Sequence, residues 1–220
     1  MLGSDARIIV KYLHDFYVPG GYCFVTRYVP GKQLDYYSDL LGVEEKGRYL
    51  VPIVKQLIRA AAYLESIHLS HNDIKPDNVI ITVDAEGAPL RVTLIDFDLA
   101  TVLYRAPEAF LSSRINIRKY NTWTIGATLY RALKGEHPLD YQRKTYTNID
   151  AADRATETTL KYLAIHPASF DVYFSIPDDY YTRRDLRPAI DMMHDLMVVR
   201  AKDRPTPSEY KARLEQANQL

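Results

Sequence analysis

The chain has 220 residues, 47% hydrophobic and 25% charged, which is the composition of a folded domain with a sizeable core and excludes intrinsic disorder. Basic and acidic residues number 28 each, and the zero net charge argues against a nucleic-acid or membrane-surface partner. One cysteine excludes an internal disulfide, and the lack of a signal-peptide pattern or an 18-residue apolar run predicts an intracellular, cytoplasmic protein.

The first predicted elements are two β-strands, at residues 8–13 and 21–29, joined across a Pro-Gly-Gly turn at residues 19–21. Cys23 lies in the apolar part of the second strand, so we expect it to be an unreactive core residue.

Helices and a second hairpin are predicted for the rest of the chain. Residues 49–68 carry apolar side chains at three- and four-residue spacing, which is typical of an amphipathic helix. A polar, tyrosine-rich stretch at residues 140–185 gives only a weak helical pattern. The other predicted elements are strands at 79–83 and 90–95 and helices at 121–134, 150–163, 186–199 and 208–216.

Three short motifs carry the chemistry. Residues 71–78 read His-Asn-Asp-Ile-Lys-Pro-Asp-Asn, residues 95–98 read Ile-Asp-Phe-Asp, and residues 106–108 read Ala-Pro-Glu. The predicted strands at 79–83 and 90–95 stand between the first two motifs. One short motif of this kind arises by chance as a surface turn, but three in this order indicate a phosphoryl-transfer site.

Together the motifs resemble those of a eukaryotic-type protein kinase of the Ser/Thr-directed group. The resemblance implies an α+β, protein-kinase-like fold with a mainly helical C-terminal lobe and a β-hairpin remnant of the N-terminal lobe. Residues 1–30 would form that remnant and the hinge, and residues 31–220 the large lobe, within a single domain.

The same resemblance assigns roles around the reacting phosphate. Asp73 would accept the proton of the substrate hydroxyl, and Lys75 would steady the charge of the γ-phosphate. Asn78 and Asp96 would each hold a Mg²⁺ ion through hard oxygen ligands.

Four further residues would support the site. His71 and Phe97 would pack together beneath it. Glu108 would pair with Arg204, and such a buried pair is specific because losing one partner leaves the other uncompensated. The alternative for Arg204 is a solvated charge at a helix cap.

A nucleotide pocket is implied at the end of the first hairpin. Thr26 would be the gate residue at its back, and the backbone of Arg27 and Val29 would meet the adenine edge. Gln33 would lie near the ribose and Ile80 under the adenine ring. ATP and Mg²⁺ are the implied cofactors, whereas taken alone this segment also fits an ordinary strand-to-helix loop.

Several positions depart from the family pattern. The glycine-rich loop, the phosphate-anchoring lysine and its glutamate partner have no candidate before the first motif. Asn72 stands in place of an arginine, Asp98 in place of a glycine, and Asn121 in place of an aspartate that braces the catalytic loop. Only 13 residues run from Asp96 to Glu108, so a platform for a peptide substrate would be largely absent.

Three functions therefore compete. The first is ATP-dependent phosphoryl transfer to Ser/Thr hydroxyls of proteins, impaired in this shortened chain. The second is a pseudokinase that binds a protein partner, and the third is a kinase-like enzyme acting on a small hydroxyl substrate. We expect a protein substrate or partner and no nucleic acid. Another polypeptide would pair over the top of the large lobe, where apolar surface would be exposed.

Overall fold

The computed structural model describes residues 4–97, 102–112 and 114–217. Helices dominate the described residues, and five strands between residues 12 and 94 form two small β-sheets. This is the α+β architecture that the sequence predicts. Across the described ranges, no helix is both long and apolar enough to cross a lipid bilayer.

The first sheet is the antiparallel hairpin of β1 (Tyr12–Val18) and β2 (Gly21–Thr26). The predicted turn is correct, with Gly20 at φ 88°, a conformation that glycine adopts without steric cost. The predicted bounds of the first strand are wrong, because Ile8 ends a 3₁₀ helix (Ser4–Ile8) and is buried in the core. The strand instead continues to Val18, and β2 ends at Thr26 rather than at residue 29.

Both faces of this hairpin are open. Every residue of β1 is exposed, and Cys23 on β2 is only half-buried. The prediction that Cys23 lies in the core is therefore wrong. Its strand is apolar, but within the part of the chain that the structure describes no helix or sheet covers this two-stranded sheet, so its side chains are not fully buried.

The second sheet has three antiparallel strands in the order β3–β4–β5, formed by Lys32–Gln33, Val79–Val83 and Pro89–Leu94. Gly31, at φ 135°, enters this sheet so tightly that a Cβ atom there would lie 2.3 Å from the carbonyl oxygen of Ile81. The sheet places the residues before β4 and after β5 side by side, because Ile95 N donates to the oxygen of Asn78 at 2.9 Å.

Nine α-helices lie within the described residues. Four of them, α1, α4, α6 and α7, were not predicted, and α2 begins six residues before the predicted start. In chain order they are α1 (Leu34–Leu40), α2 (Val43–Ser66), α3 (Ile117–Lys134), α4 (Asp140–Thr145), α5 (Ile149–Ile165), α6 (Phe170–Tyr173), α7 (Asp178–Thr182), α8 (Arg187–Leu196) and α9 (Pro207–Gln216).

Helix α3 is the centre of the core. Every residue from Tyr120 to Leu133 is buried, so the helix is covered on all sides. At Gly126 a Cβ atom would lie 2.5 Å from Cγ of Met197, so the absence of a side chain sets how closely α3 approaches the chain that follows α8. The buried hydroxyl of Thr128 on α3 lies within hydrogen-bonding distance of two carbonyl oxygens, that of Thr124 at 2.8 Å and that of Ile74 at 3.3 Å. The last contact ties α3 to the loop that holds the candidate site.

Candidate active site

The loop between α2 and β4 carries the first motif. Asn72 has a left-handed backbone, with φ 66°, which asparagine tolerates better than most residues. Its N–H donates to Oδ1 of Asn121 on α3 at 3.2 Å. The predicted brace between position 121 and this loop is therefore present, with an amide in place of a carboxylate.

Asp73 is the buried centre of this loop, with 1% of its surface exposed. Its Oδ2 accepts hydrogen bonds from Lys75 Nζ at 2.7 Å and from Asn78 Nδ2 at 2.9 Å. Its Oδ1 is buried and has no hydrogen-bond partner among the described residues. One carboxylate oxygen is thus held in place by a cation and an amide, while the other is left without a donor.

His71 contacts Asp73 through a hydrogen bond to its backbone. Its Nδ1 accepts the N–H of Asp73 at 3.2 Å, so the proton of the neutral ring is on Nε2, which donates to the oxygen of Ile95 at 3.0 Å. Burial lowers the pKa of His71 to about 4, which keeps the ring in this neutral form. The ring also packs against Phe97 with 4.3 Å between centroids, as predicted.

Asp96 follows Ile95 directly and is exposed, with a left-handed backbone at φ 62°. Ile95 is hydrogen-bonded through its oxygen to His71 and through its nitrogen to Asn78, so the structure brings Asp96 next to the loop between α2 and β4. That its carboxylate faces the same cleft as Asp73 stays a prediction. Asp98, predicted to stand in place of a glycine, lies outside the described residues.

The five residues that are predicted to contact the nucleotide lie in two groups. Gln33 and Ile80 are cross-strand partners in the second sheet, and Nε2 of Gln33 donates to the oxygen of Asp77 in the catalytic loop at 3.0 Å. They therefore lie beside the site. Thr26 and Arg27 are exposed, and Val29 is half-buried.

The segment that holds this second group is tied to the same sheet. Thr82 on β4 donates to the oxygen of Pro30 at 2.7 Å, which fixes the end of the loop next to Val29. Contact of Thr26, Arg27 and Val29 with an adenine ring stays a prediction.

Glu108 and Arg204 form the predicted ion pair. Arg204 Nη1 and Nη2 donate to the two carboxylate oxygens of Glu108 at 2.7 and 3.0 Å. The remaining three donors bind the backbone oxygens of Val198, Val199 and Lys119, so all five N–H groups are used. The alternative of a solvated capping charge is wrong, because Arg204 is only 1% exposed.

Ser70 is a contributor that the sequence does not reveal. Its hydroxyl donates to Oδ1 of Asn72 at 2.7 Å and accepts from Nδ2 of Asn121 at 2.7 Å. No spacing or charge pattern marks a serine one residue before the motif, and only its contacts in the fold identify it.

Comparison with known proteins agrees with this geometry. The family model described as protein kinase domain matches residues 1–214. The chain belongs to the protein kinase family. The predicted resemblance is therefore confirmed.

Two relatives show how this kinase domain relates to longer proteins. A probable serine/threonine-protein kinase, fhkD of Dictyostelium discoideum, is 27% identical over 135 residues, covering 49% of this chain and 18% of its own. The serine/threonine-protein kinase TIO of Arabidopsis thaliana is 30% identical over 156 residues, covering 64% of this chain and 11% of its own. The kinase domain described here thus matches less than a fifth of either relative's length.

A solved structure supports the fold. The crystal structure of Rad53 residues 1–466 in complex with AMP-PNP matches 93% of this kinase domain and 49% of the Rad53 chain, with a TM-score of 0.61 and 23% identity. The protein-kinase-like fold predicted from the motifs is therefore confirmed.

Proposed function

We propose that this chain binds ATP with Mg²⁺ and transfers the γ-phosphoryl group to serine or threonine hydroxyls of proteins. The observation that carries the proposal is the unpartnered Oδ1 of Asp73. A buried oxygen without a donor costs about 1–3 kcal/mol, so its persistence favours a donor that arrives with the substrate. A substrate hydroxyl is such a donor.

The surrounding side chains suit proton acceptance by Asp73. Asn78 and Lys75 fix Oδ2, which leaves Oδ1 to accept the hydroxyl proton and to orient the attacking oxygen. Lys75 is the ammonium group nearest to this carboxylate in the described contacts, and it is placed to offset negative charge that develops at the phosphoryl group.

The residues present also suit magnesium. Both described hydrogen bonds of Asn78 Nδ2 go to Asp73, so the amide oxygen of Asn78 is turned away from that contact and remains for a cation. Asp96 adds an exposed carboxylate next to it in the fold. No cluster of three or more acidic, histidine or cysteine ligands occurs in the described residues, but Mg²⁺ in such sites uses one or two carboxylates together with substrate phosphates. When bound, the ion would neutralise phosphate charge.

Phosphate transfer from labelled ATP to a mixed peptide library tests the proposal. Asp73→Asn keeps the size of the side chain and removes its basicity, and we expect it to abolish transfer to Ser and Thr. Asp171→Asn, at an exposed acid on α6, is the matched control and should leave transfer unchanged. Asp96→Ala should remove the Mg²⁺ dependence of ATP binding in calorimetry. Transfer that persists in Asp73→Asn would overturn the assignment, and transfer only to small alcohols would favour the third function considered above.

A protein-binding role is the second candidate, and the open hairpin favours it. Tyr17, Tyr22 and Phe24 lie on one face of β1 and β2 with 85%, 42% and 69% of their surfaces exposed. Phe97 is 46% exposed at the site itself. Apolar surface of this kind marks contact sites or promotes aggregation. We expect Phe24→Ser to reduce self-association in sedimentation, and a wild-type chain that sediments as a clean monomer would count against this role.

A further inference from the structure

We infer that Ser70, Asn72 and Asn121 form an uncharged hydrogen-bonded ring that positions Asp73, and that Ser70 is a positioning residue for the reaction proposed above. The inference rests on that proposed function. Three hydrogen bonds close the ring: Asn121 Nδ2 to Ser70 Oγ at 2.7 Å, Ser70 Oγ to Asn72 Oδ1 at 2.7 Å, and Asn72 N to Asn121 Oδ1 at 3.2 Å. Asn121 is only 3% exposed, so water does not compete freely for its amide.

Each role in the ring is fixed by chemistry. A backbone N–H can only donate, so the oxygen of Asn121 must face Asn72 and its NH₂ group must face Ser70. The hydroxyl of Ser70 accepts from that NH₂ group, and its single proton is then committed to Asn72 Oδ1. In the arrangement that the structure shows, each donor of the ring thus meets an acceptor.

This arrangement requires an amide at position 121, where the family pattern has an aspartate. An aspartate would present an acceptor to Ser70, whose one proton cannot serve both that carboxylate and Asn72 Oδ1. The ring would close again only if the side-chain amide of Asn72 turned over to donate from Nδ2 to Ser70 Oγ, which changes the contact that holds Asn72. None of the described hydrogen bonds brings a cation to the ring, so a negative charge at position 121 would also be uncompensated.

The ring acts on Asp73 through the backbone. Asn72 holds a left-handed conformation and is bound by the ring at both its N–H and its side-chain oxygen. The next N–H, that of Asp73, is bound to His71. The peptide between Asn72 and Asp73 is thus fixed from both sides, and this sets the direction of the unpartnered Oδ1 atom. Loss of the ring would loosen that direction without removing any group that touches the substrate.

Kinetics of four single variants test the inference. We expect Ser70→Ala and Asn121→Asp to lower kcat by between about tenfold and about 100-fold while KM for ATP changes by less than about twofold, because orientation at the reacting centre is lost and nucleotide contacts are not. Ser70→Thr keeps the hydroxyl and should restore most of kcat. Ser66→Ala removes an exposed hydroxyl at the end of α2 and should match the wild type. Wild-type kcat in Ser70→Ala, or equal loss in Ser70→Ala and Ser70→Thr, would overturn the inference.

A second measurement separates this inference from the proposed function. Amide hydrogen exchange of the peptide covering residues 70–75 should be faster in Ser70→Ala than in Ser66→Ala, with exchange elsewhere unchanged. If the wild type transfers no phosphate, the proposed function fails, and the exchange comparison alone decides whether the ring holds the loop. Unchanged exchange in Ser70→Ala would refute the ring.

Discussion

Replacing Arg204 by lysine keeps a positive charge and removes the planar fork of five donors. In the native chain the five N–H groups reach Glu108 twice and three backbone oxygens once each. An ammonium group has three donors, so at least two of these five acceptors lose theirs. At about 1–3 kcal/mol for each buried acceptor without a donor, Arg204→Lys should lower the free energy of unfolding by about 2–6 kcal/mol.

Trp123 makes this change easy to follow. It is the only tryptophan in the chain, and its ring lies 5.0 Å from the guanidinium carbon of Arg204. Urea unfolding monitored by Trp123 fluorescence therefore reports on the environment that is altered. For a chain of this length we expect the midpoint of thermal unfolding to fall by roughly 10 °C.

The matched control is Arg187→Lys. Arg187 pairs with Asp191 on the exposed side of α8, with 59% and 56% of the two side chains accessible. Exposed pairs contribute at most about 1 kcal/mol, so this variant should unfold close to the wild type. An Arg204→Lys variant that loses less than about 1 kcal/mol would refute the claim that the five-donor geometry, rather than the charge, is what stabilises this contact.

Three other predictions concern His71, Gly126 and Gly31. Burial lowers the pKa of His71 from about 6.5 to about 4, so the unfolded chain binds a proton at higher pH than the folded chain does. The free energy of unfolding should therefore fall by about 3 kcal/mol as the pH drops from 6.5 to 4. In thermal melts, the unfolding midpoint of a His71→Gln variant should depend less on pH over this range. Gly126→Ala should cost about 1–3 kcal/mol in urea unfolding because its Cβ would overlap Met197. Gly31→Ala should weaken ATP binding in calorimetry, since its Cβ would force β3 away from Ile81, and unchanged affinity would contradict this.

Local spacing explains why the centre of the site was predictable. The distance along the chain from His71 to Asn78 is short, and the hairpin that follows returns the chain to Ile95 beside it. Asp73 and Asn78 are therefore neighbours because they belong to one loop, and one hairpin brings Ile95 beside them. The pair of Glu108 and Arg204 was predictable only through resemblance, because 96 residues separate its members.

Other features of the structure could not be predicted from the sequence, for physical reasons. Short helices such as α4 and α7 show little periodicity, because their stability comes from tertiary contacts rather than from an apolar stripe. The burial of Ile8 and the partial exposure of Cys23 depend on which layers pack together, and both residues lie in similar apolar runs. Ser70 was missed because a hydroxyl is informative only when its partners are known.

The buried side chains of the candidate site carry little net charge. His71 is neutral because it is buried and must accept the N–H of Asp73, and position 121 is neutral because its amide must donate to Ser70. Asp73, which is buried, and Lys75, which is partly buried, then form an ion pair with no net charge. Lys75 is the one cation of this group, and a single ammonium group offsets only part of the charge of a triphosphate. The rest of the balance at the phosphates must come from outside this loop. In the proposed function, the exposed carboxylate of Asp96 would bring the additional cation that the buried residues do not supply.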